Sequence, residues 1–391
     1  MESVRMHTTE VAEGFSPEAW QSWDAFLDAS GEPSVHLTSG AVRASLGSPR
    51  RRVRAAQWHD AQGQLLGIAV LEDSEAISQR VDDFLEGTAL FRVAKSWLHR
   101  QGGLRFPVRV IGTPLASGPH GYRFSPQLDA FSCLDALFRT SPIGGNRAPK
   151  TWVVKDHPCR FHWGEAKRAS GKSLWRRGWN DLEFDPVMVV PTAGLATWED
   201  YMGALRTKAR TKVKRILTLS EGLDFREMGV ADIRANAAEL HRLYMEVYGR
   251  AGFRLGCLWP EDFVRLKEEM GEAFRVMGVH MEGRLVGFQC SIAASGILEA
   301  YFVGFEAEWN KTHALYQRML VEFIRRGLAL GCREVVLGRT ALDIKSSLGA
   351  EPRRLVLHQR HGNPLVHFAA RWAARASAPL PHELKRAWKA D

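Results

Sequence analysis

The chain is poor in anything that would fix a metal or a disulfide framework. Its 391 residues include five cysteines, Cys133, Cys159, Cys257, Cys290 and Cys332, with no CxxC spacing. That pattern supports neither a set of disulfides nor a thiolate zinc site, and Cys290 and Cys332, lying in apolar strand-like runs, read as small core residues. No apolar run approaches the roughly 18 residues needed to cross a bilayer. The polar stretch 1–14 lacks the apolar centre of a signal peptide, so a cytoplasmic, bacterial-type protein is expected. Negative charge is also in deficit, since 53 Lys and Arg against 44 Asp and Glu give a net charge of +9. Such a surface favours polyanionic partners, namely CoA, the acidic helix of an acyl carrier protein, tRNA or an anionic membrane face. Composition does not choose among these.

What the chain does contain is an internal repeat. Gly63-Gln64-Leu65-Leu66-Gly67 and Gly283-Arg284-Leu285-Val286-Gly287 share a G-x-L-[LV]-G pattern, each between apolar runs, as in two antiparallel strands joined at a Gly-containing turn. Upstream of the first copy, Ser16 as N-cap and Pro17 at the first helical position open a helix with Trp20, Trp23 and Leu27 on one stripe. Leu240, Leu243, Tyr244 and Val247 form a similar stripe before the second. Downstream, Val108–Gly112 leads through a Gly-rich loop to a helical run at 127–139, as Tyr301–Gly304 leads to one at 315–328. The shared order argues for a duplicated domain, and 391 residues with 45% hydrophobic content suit two cores. The expected fold is α+β, with two tandem domains, each a mixed, mostly antiparallel central sheet flanked by helices. Residues 1–184 would form the first, 185–355 the second and 356–391 a basic amphipathic tail.

A helix capped by Thr197 is expected to open the second domain, with Met202, Leu205, Ala209, Val213 and Ile216 on one face. The rest of its surface carries Arg206, Lys208, Arg210, Lys212, Lys214 and Arg215 without an acidic residue. Such crowding reads either as a solvated basic face or as a wall for phosphates.

Together, the basic run Leu205–Arg215, the Tyr301-Phe302-Val303-Gly304-Phe305 strand and the Lys345-bearing turn after Leu337–Arg339 resemble the FemABX and cellulose-biosynthesis-type branch of the GNAT superfamily. The similarity extends over about residues 20–349. The resemblance implies tandem GNAT-like domains that transfer an acyl group from a thioester, acyl-CoA or acyl-phosphopantetheine on a carrier protein, to an amine on a peptide, amino acid or amino sugar. It implies no metal. An aminoacyl-tRNA donor, as FemABX ligases use, is the enzymatic alternative, and a non-catalytic GNAT-fold binding module is the other.

By the same match, the second domain is the catalytic half. Glu299 and His313 are the base candidates, and Tyr301, which shares a strand face with Glu299, would protonate the leaving thiol. Lys345 would neutralise the oxyanion, with Arg339 aimed at the same cleft. The backbone of Phe302 or Val303 would polarise the acyl carbonyl, and Lys311, Thr312, Arg206, Arg210 and Lys214 would face the donor's phosphates. One departure stands out: where a GNAT cradles pyrophosphate on a Gly-rich loop at a helix N-terminus, this chain has Glu306–Ala314 without glycine. The loop at 112–124 is richer in glycine and becomes the alternative anion site.

Overall fold

The computed structural model describes residues 5–9, 14–32, 34–78, 104–140, 149–158, 178–368, 370 and 383–389. The first half contains β1 (Arg5–Thr9), α1 (Pro17–Ala29), α2 (Ser39–Leu46), β2 (Arg52–His59), β3 (Leu65–Ser78), β4 (Leu104–Ile111), β5 (Tyr122–Phe124), α3 (Ala130–Thr140), β6 (Thr151–Pro158) and β7 (Asn180–Glu183). The second contains β8 (Val187–Pro191), α4 (Trp198–Ala204), α5 (Thr207–Leu219), β9 (Asp224–Met228), α6 (Val230–Tyr248), β10 (Phe253–Leu255), α7 (Pro260–Met270), β11 (Phe274–Met281), β12 (Arg284–Ala294), β13 (Ile297–Phe305), α8 (Ala307–His313), α9 (Leu315–Ala329), β14 (Glu334–Gly338), α10 (Leu342–Ser347), β15 (Glu351–Arg353) and β16 (Leu355–His361).

Local signals act as the sequence implies. The Ser16 hydroxyl accepts from Ala19 N, and Trp20, Trp23 and Leu27 are the buried stripe of α1. Both G-x-L-x-G segments are hairpin turns, with Gly63 at φ 86° and Gly283 at φ 79°, a region that an L side chain enters only with strain. In both hairpins the register slips one position beside the turn, between Trp58 and His59 and between Val279 and His280.

The duplication is visible in the strand order. The first sheet runs β1-β2-β3-β4-β6-β16-β7 and the second β9-β11-β12-β13-β14-β8-β15. In each, an antiparallel meander leads to one parallel pair, β4 with β6 and β13 with β14, joined by a segment that contains a helix, α3 in one half and α9 in the other. The first sheet is then completed by a strand from the second half, β16, which lies between β6 and β7, while β8 lies between β14 and β15 within the second sheet. Residues 355–361, read as the start of a separate tail, are therefore a strand of the first sheet, paired on both sides. Their alternating pattern suits a strand equally well, and only the return of the chain to the first sheet decides it. The short β10 also crosses over, pairing with β3.

The helix expected from Thr197 is two helices. Thr197 and Asp200 form the capping box as read, but Leu205 is extended at ψ 143° and bridges to Trp388. Arg206 N donates to Ala387 O at 2.8 Å and Lys389 N to Ala204 O at 3.0 Å, so the segment 383–389 takes up backbone groups that a continuous helix would have satisfied itself. Between the halves, α2 lies directly on α7, and a Cβ on Gly40 would stand 2.7 Å from Glu269 O. No helix among the described residues is long and apolar enough to cross a membrane. Phe161, His162, Trp163, Lys167, Arg168, Lys172, Trp175, Arg176 and Arg177 lie outside the described residues, as does most of 364–378, of which 364–368 is helical.

Candidate active site

The site is built on β13. Its pairing with β12 slips between Cys290 and Ser291, which oppose Phe302 and Ala300, leaving Tyr301 as the extra residue of a β-bulge. On its other edge β13 pairs with β14 only at Ile297, Leu298 and Glu299, although the strand runs on to Phe305. Beyond Glu299 the two parallel strands part, and among the described residues the β13 edge there has no strand partner. The first half differs, because β4 stays paired with β6 up to its last residue, Ile111.

Glu299 is buried and faces across the junction onto two imidazoles of the first half. His36 Nε2 lies 3.1 Å from Glu299 Oε1, and His120 Nε2 lies 3.2 Å from Oε2. Burial alone would push the Glu299 carboxyl up, but His36 and His120 outweigh it and hold it well below the usual carboxylate range. Burial likewise lowers the His120 imidazole, against the pull of Glu299. A neutral His120 satisfies both neighbours, with Nε2–H toward Glu299 and Nδ1 accepting from Ser34 Oγ at 2.8 Å. His36 Nε2 is buried, and the Glu299 oxygen beside it is not in hydrogen-bonding alignment. The His36 ring also packs on Tyr301, with centroids 4.9 Å apart.

These groups border a small pocket between the halves, lined among others by His36, His120, Thr113, Arg51 and Tyr301. Arg51 closes one wall through a two-point pair with Glu72, at 2.9 and 2.7 Å. Burial keeps the Tyr301 phenol protonated, its pKa raised far above the ordinary value despite nearby Arg51. The ligand-type atoms of His36, His120 and Glu299 spread over as much as 4.8 Å. As placed, the Glu299 carboxylate sits against both imidazoles.

The other expected residues are elsewhere. His313 packs on the Trp309 ring and bonds Thr312 through Nδ1, and no hydrogen bond or ion pair links it to Glu299. Lys345 is buried, not at a cleft mouth. Its Nζ donates to Gly338 O at 3.2 Å and also to Arg339 O, tying down the turn in which Thr340 and Ala341 have positive φ. Burial lowers its amine to about 7. Two carbonyls thus absorb the ammonium that the resemblance would give to an oxyanion. Arg339 is a staple between the halves, pairing with Asp156 and donating to Asp185 O at 2.7 Å.

The Glu306–Ala314 segment is largely the helix α8, not an open loop. Thr312 Oγ1 donates back to Glu308 O and caps nothing. Asn310 Oδ1 instead accepts from Tyr316 N at 3.0 Å, inside the first turn of α9. Lys311 is exposed. Phe302 packs edge-on to Tyr244, and Val303 lies half-buried against Tyr316, leaving only their backbones at the open edge. Arg206, Arg210 and Lys214 sit on α5.

In the Gly-rich loop of the first half, two glycine donors are already taken. Gly118 N donates to Asp156 Oδ2 at 2.9 Å and Gly112 N to Val70 O at 2.8 Å. Lys155 Nζ reaches both Asp156 and Ala116 O. What the loop does is hold His120 against Glu299. Neither His36 nor His120 stands out by spacing. The one usable signal was a histidine inside a Gly-rich loop.

Residues 203–346 match the family model for the acetyltransferase (GNAT) domain. Among solved structures, the chain resembles FemX (TM-score 0.54, 10% identity, covering 93% of this chain and 100% of that one). It resembles equally a tandem GNAT protein from the clavulanic acid biosynthesis pathway (TM-score 0.53, 12% identity, 93% and 99%). A third neighbour is Saccharomyces cerevisiae N-myristoyltransferase, solved with bound myristoyl-CoA (TM-score 0.51, 10% identity, 92% and 82%). No curated protein matches the sequence. The chain thus has the fold of tandem GNAT proteins, with residues 203–346 matching the acetyltransferase (GNAT) domain model.

Proposed function

We propose that the protein transfers an acyl group from a thioester to an amine at the junction of its halves, with the second half holding the donor. The observation that carries this is the parting of β13 from β14 immediately beyond Glu299. It leaves a free strand edge along which an extended pantetheine arm can hydrogen-bond, and it ends beside the His36–Glu299–His120 relay.

In this reading the backbone at Phe302 and Val303 polarises the acyl carbonyl. The neutral amine attacks the carbonyl carbon, the C–N bond forms, and the C–S bond breaks. The proton shed by the amine passes to the His36 imidazole, whose positive charge Glu299 stabilises. Tyr301 donates to the departing thiolate and is reprotonated from His36, so no net charge is left behind. Glu299 is too acidic to be the base itself and acts through the imidazoles. Acyl-CoA and a carrier-bound acyl-phosphopantetheine both satisfy this step; an aminoacyl-tRNA ester would follow it with the C–O bond breaking and Tyr301 donating to the ribose oxygen, and the amine belongs to a peptide, amino acid or amino sugar.

The test is transfer from a panel of acyl thioesters to amine acceptors, followed by mass spectrometry, with His36→Ala and Tyr301→Phe beside the wild type. The reading expects an acyl amide product that falls 10²–10⁴-fold in His36→Ala. A product formed equally well without His36 would sink the proposed role, and no product from any thioester would sink the function.

A further inference from the structure

We propose that the physiological donor is an acyl-phosphopantetheine arm carried by an acidic carrier protein, docked on the ridge formed by α5 and residues 383–389. The inference rests on the thioester reading above and concerns what stands at the far end of the arm. Two independent features point to it.

The first is the place where a nucleotide's pyrophosphate would sit. In the GNAT arrangement this is the N-terminus of the helix after the splayed strand, here α9, whose free N–H groups would receive the phosphates. Instead α8 occupies the approach, Asn310 Oδ1 takes the Tyr316 N–H, and Ala314 makes the link in a left-handed conformation at φ 49°. No glycine is present between Glu306 and Ala314. The gap between β13 and β14 accepts a pantetheine arm, while the cradle for a dinucleotide-like diphosphate is filled. A phosphopantetheine attached to a protein has one phosphodiester and no pyrophosphate.

The second feature is the ridge. α5 packs against α8 and α9 and carries Arg206, Lys208, Arg210, Lys212, Lys214 and Arg215. None of the six makes an ion pair among the described residues. The other surface arginines are often paired, as Arg242 is with Glu239, Glu246 and Glu306. Residues 383–389 cross the start of α5 and add the exposed Lys385, Arg386 and Lys389, with only the long 3.9 Å pair from Lys385 to Asp343. Burial, and then Lys385, lower the Lys212 amine, with Asp343 opposing. A ridge of like charges without internal partners is relieved by an external acidic surface, which also steers association. Helical spacing puts Lys208, Lys212 and Arg215 on one stripe, the form that an acidic helix complements.

The experiment compares donors that share one arm. Binding is measured by calorimetry for a bacterial type II acyl carrier protein bearing a non-transferable acyl-phosphopantetheine thioether, for the matching acyl-CoA thioether and for a short single-stranded RNA. Transfer is measured in parallel from carrier-free acyl-pantetheine. The expected result is carrier binding at least tenfold tighter than CoA binding and weakened by salt. The triple variant Lys208→Glu, Lys212→Glu, Arg215→Glu should lose at least tenfold in carrier affinity with transfer from acyl-pantetheine unchanged. Acyl-CoA binding as well as the carrier, RNA binding more tightly than the carrier, or a triple variant with undiminished carrier affinity would each overturn the proposal while leaving acyl transfer intact. Failure of acyl-pantetheine as a donor would remove the acyltransferase reading, and this inference with it.

Discussion

At the scale of single residues, the site is a buried carboxylate set against two imidazoles. Glu299→Gln keeps the shape of the side chain but removes the charge that draws protons toward His120. Two outcomes are expected: the transfer rate falls by at least 10²-fold, and the acid limb of its pH profile moves to lower pH, because the imidazole loses a favourable partner. An unchanged profile would show that the carboxylate and the rings are not coupled. The pH dependence of stability has a definite sign. His120 is lowered by burial, so its protonation favours the unfolded chain as pH falls below about 6.5. Glu299 is also lowered, so its contribution is present above about pH 4.3 and is lost at still lower pH. Both run the same way, and together they should make the Tm decline in acid below about pH 6.5. A second residue tests packing alone. A Cβ on Gly304 would stand 2.6 Å from the backbone of α6 at Leu243 and Tyr244. Gly304→Ala should therefore cost about 1–3 kcal/mol in urea unfolding, in line with overpacking. Sequence reading found Glu299 and Tyr301 because alternation puts them on one face of an apolar strand, where a carboxylate is conspicuous. It missed His36 and His120 because they come from loops far away in the chain, and nothing local marks a histidine that another half will bury.

At the scale of elements, the departures from expectation share one cause, which is that distant segments decide local structure. The basic helix was legible in its apolar stripe and its capping box, but its break at Leu205 was not. The break depends on Trp388, whose indole Nε1 donates to Gly349 O at 2.9 Å and whose ring covers a glycine at φ 89°. Lys345 fell in a turn that resembles a reactive one, yet its neighbours are two carbonyls, which no residue pattern announces. The segment 383–389 makes its own prediction. Trp388→Ala should lose roughly 2–4 kcal/mol, read as a lower Tm, and should expose the junction of α4 and α5 to hydrogen exchange. Stability unchanged by this substitution would mean that the strap does not hold that junction.

At the scale of the whole molecule, the duplication was legible from one repeated turn and its flanks, and the two mixed sheets follow from it. The crossing of β16 into the first sheet was not, because a strand's sequence says which faces it buries and not which sheet receives it. The first half lacks an inner strand, β16, without the second. Residues 1–184 produced alone should be insoluble or unfolded, co-expression with residues 185–391 should restore a complex, and the intact chain should unfold in one transition. Independent folding of residues 1–184 would contradict the crossover. The same interlock makes the site possible, since His36 and His120 meet Glu299 only when both halves are joined. The most direct measurement is a crystal structure of the protein soaked with an S-(2-oxoalkyl) pantetheine, a ketone analogue with the arm but no transferable acyl group. The account predicts the arm lying between β13 and β14, with its carbonyl beside Tyr301 and Phe302 and facing His36. An arm lodged along β4 and β6, or anywhere away from the opened edge of β13, would contradict it.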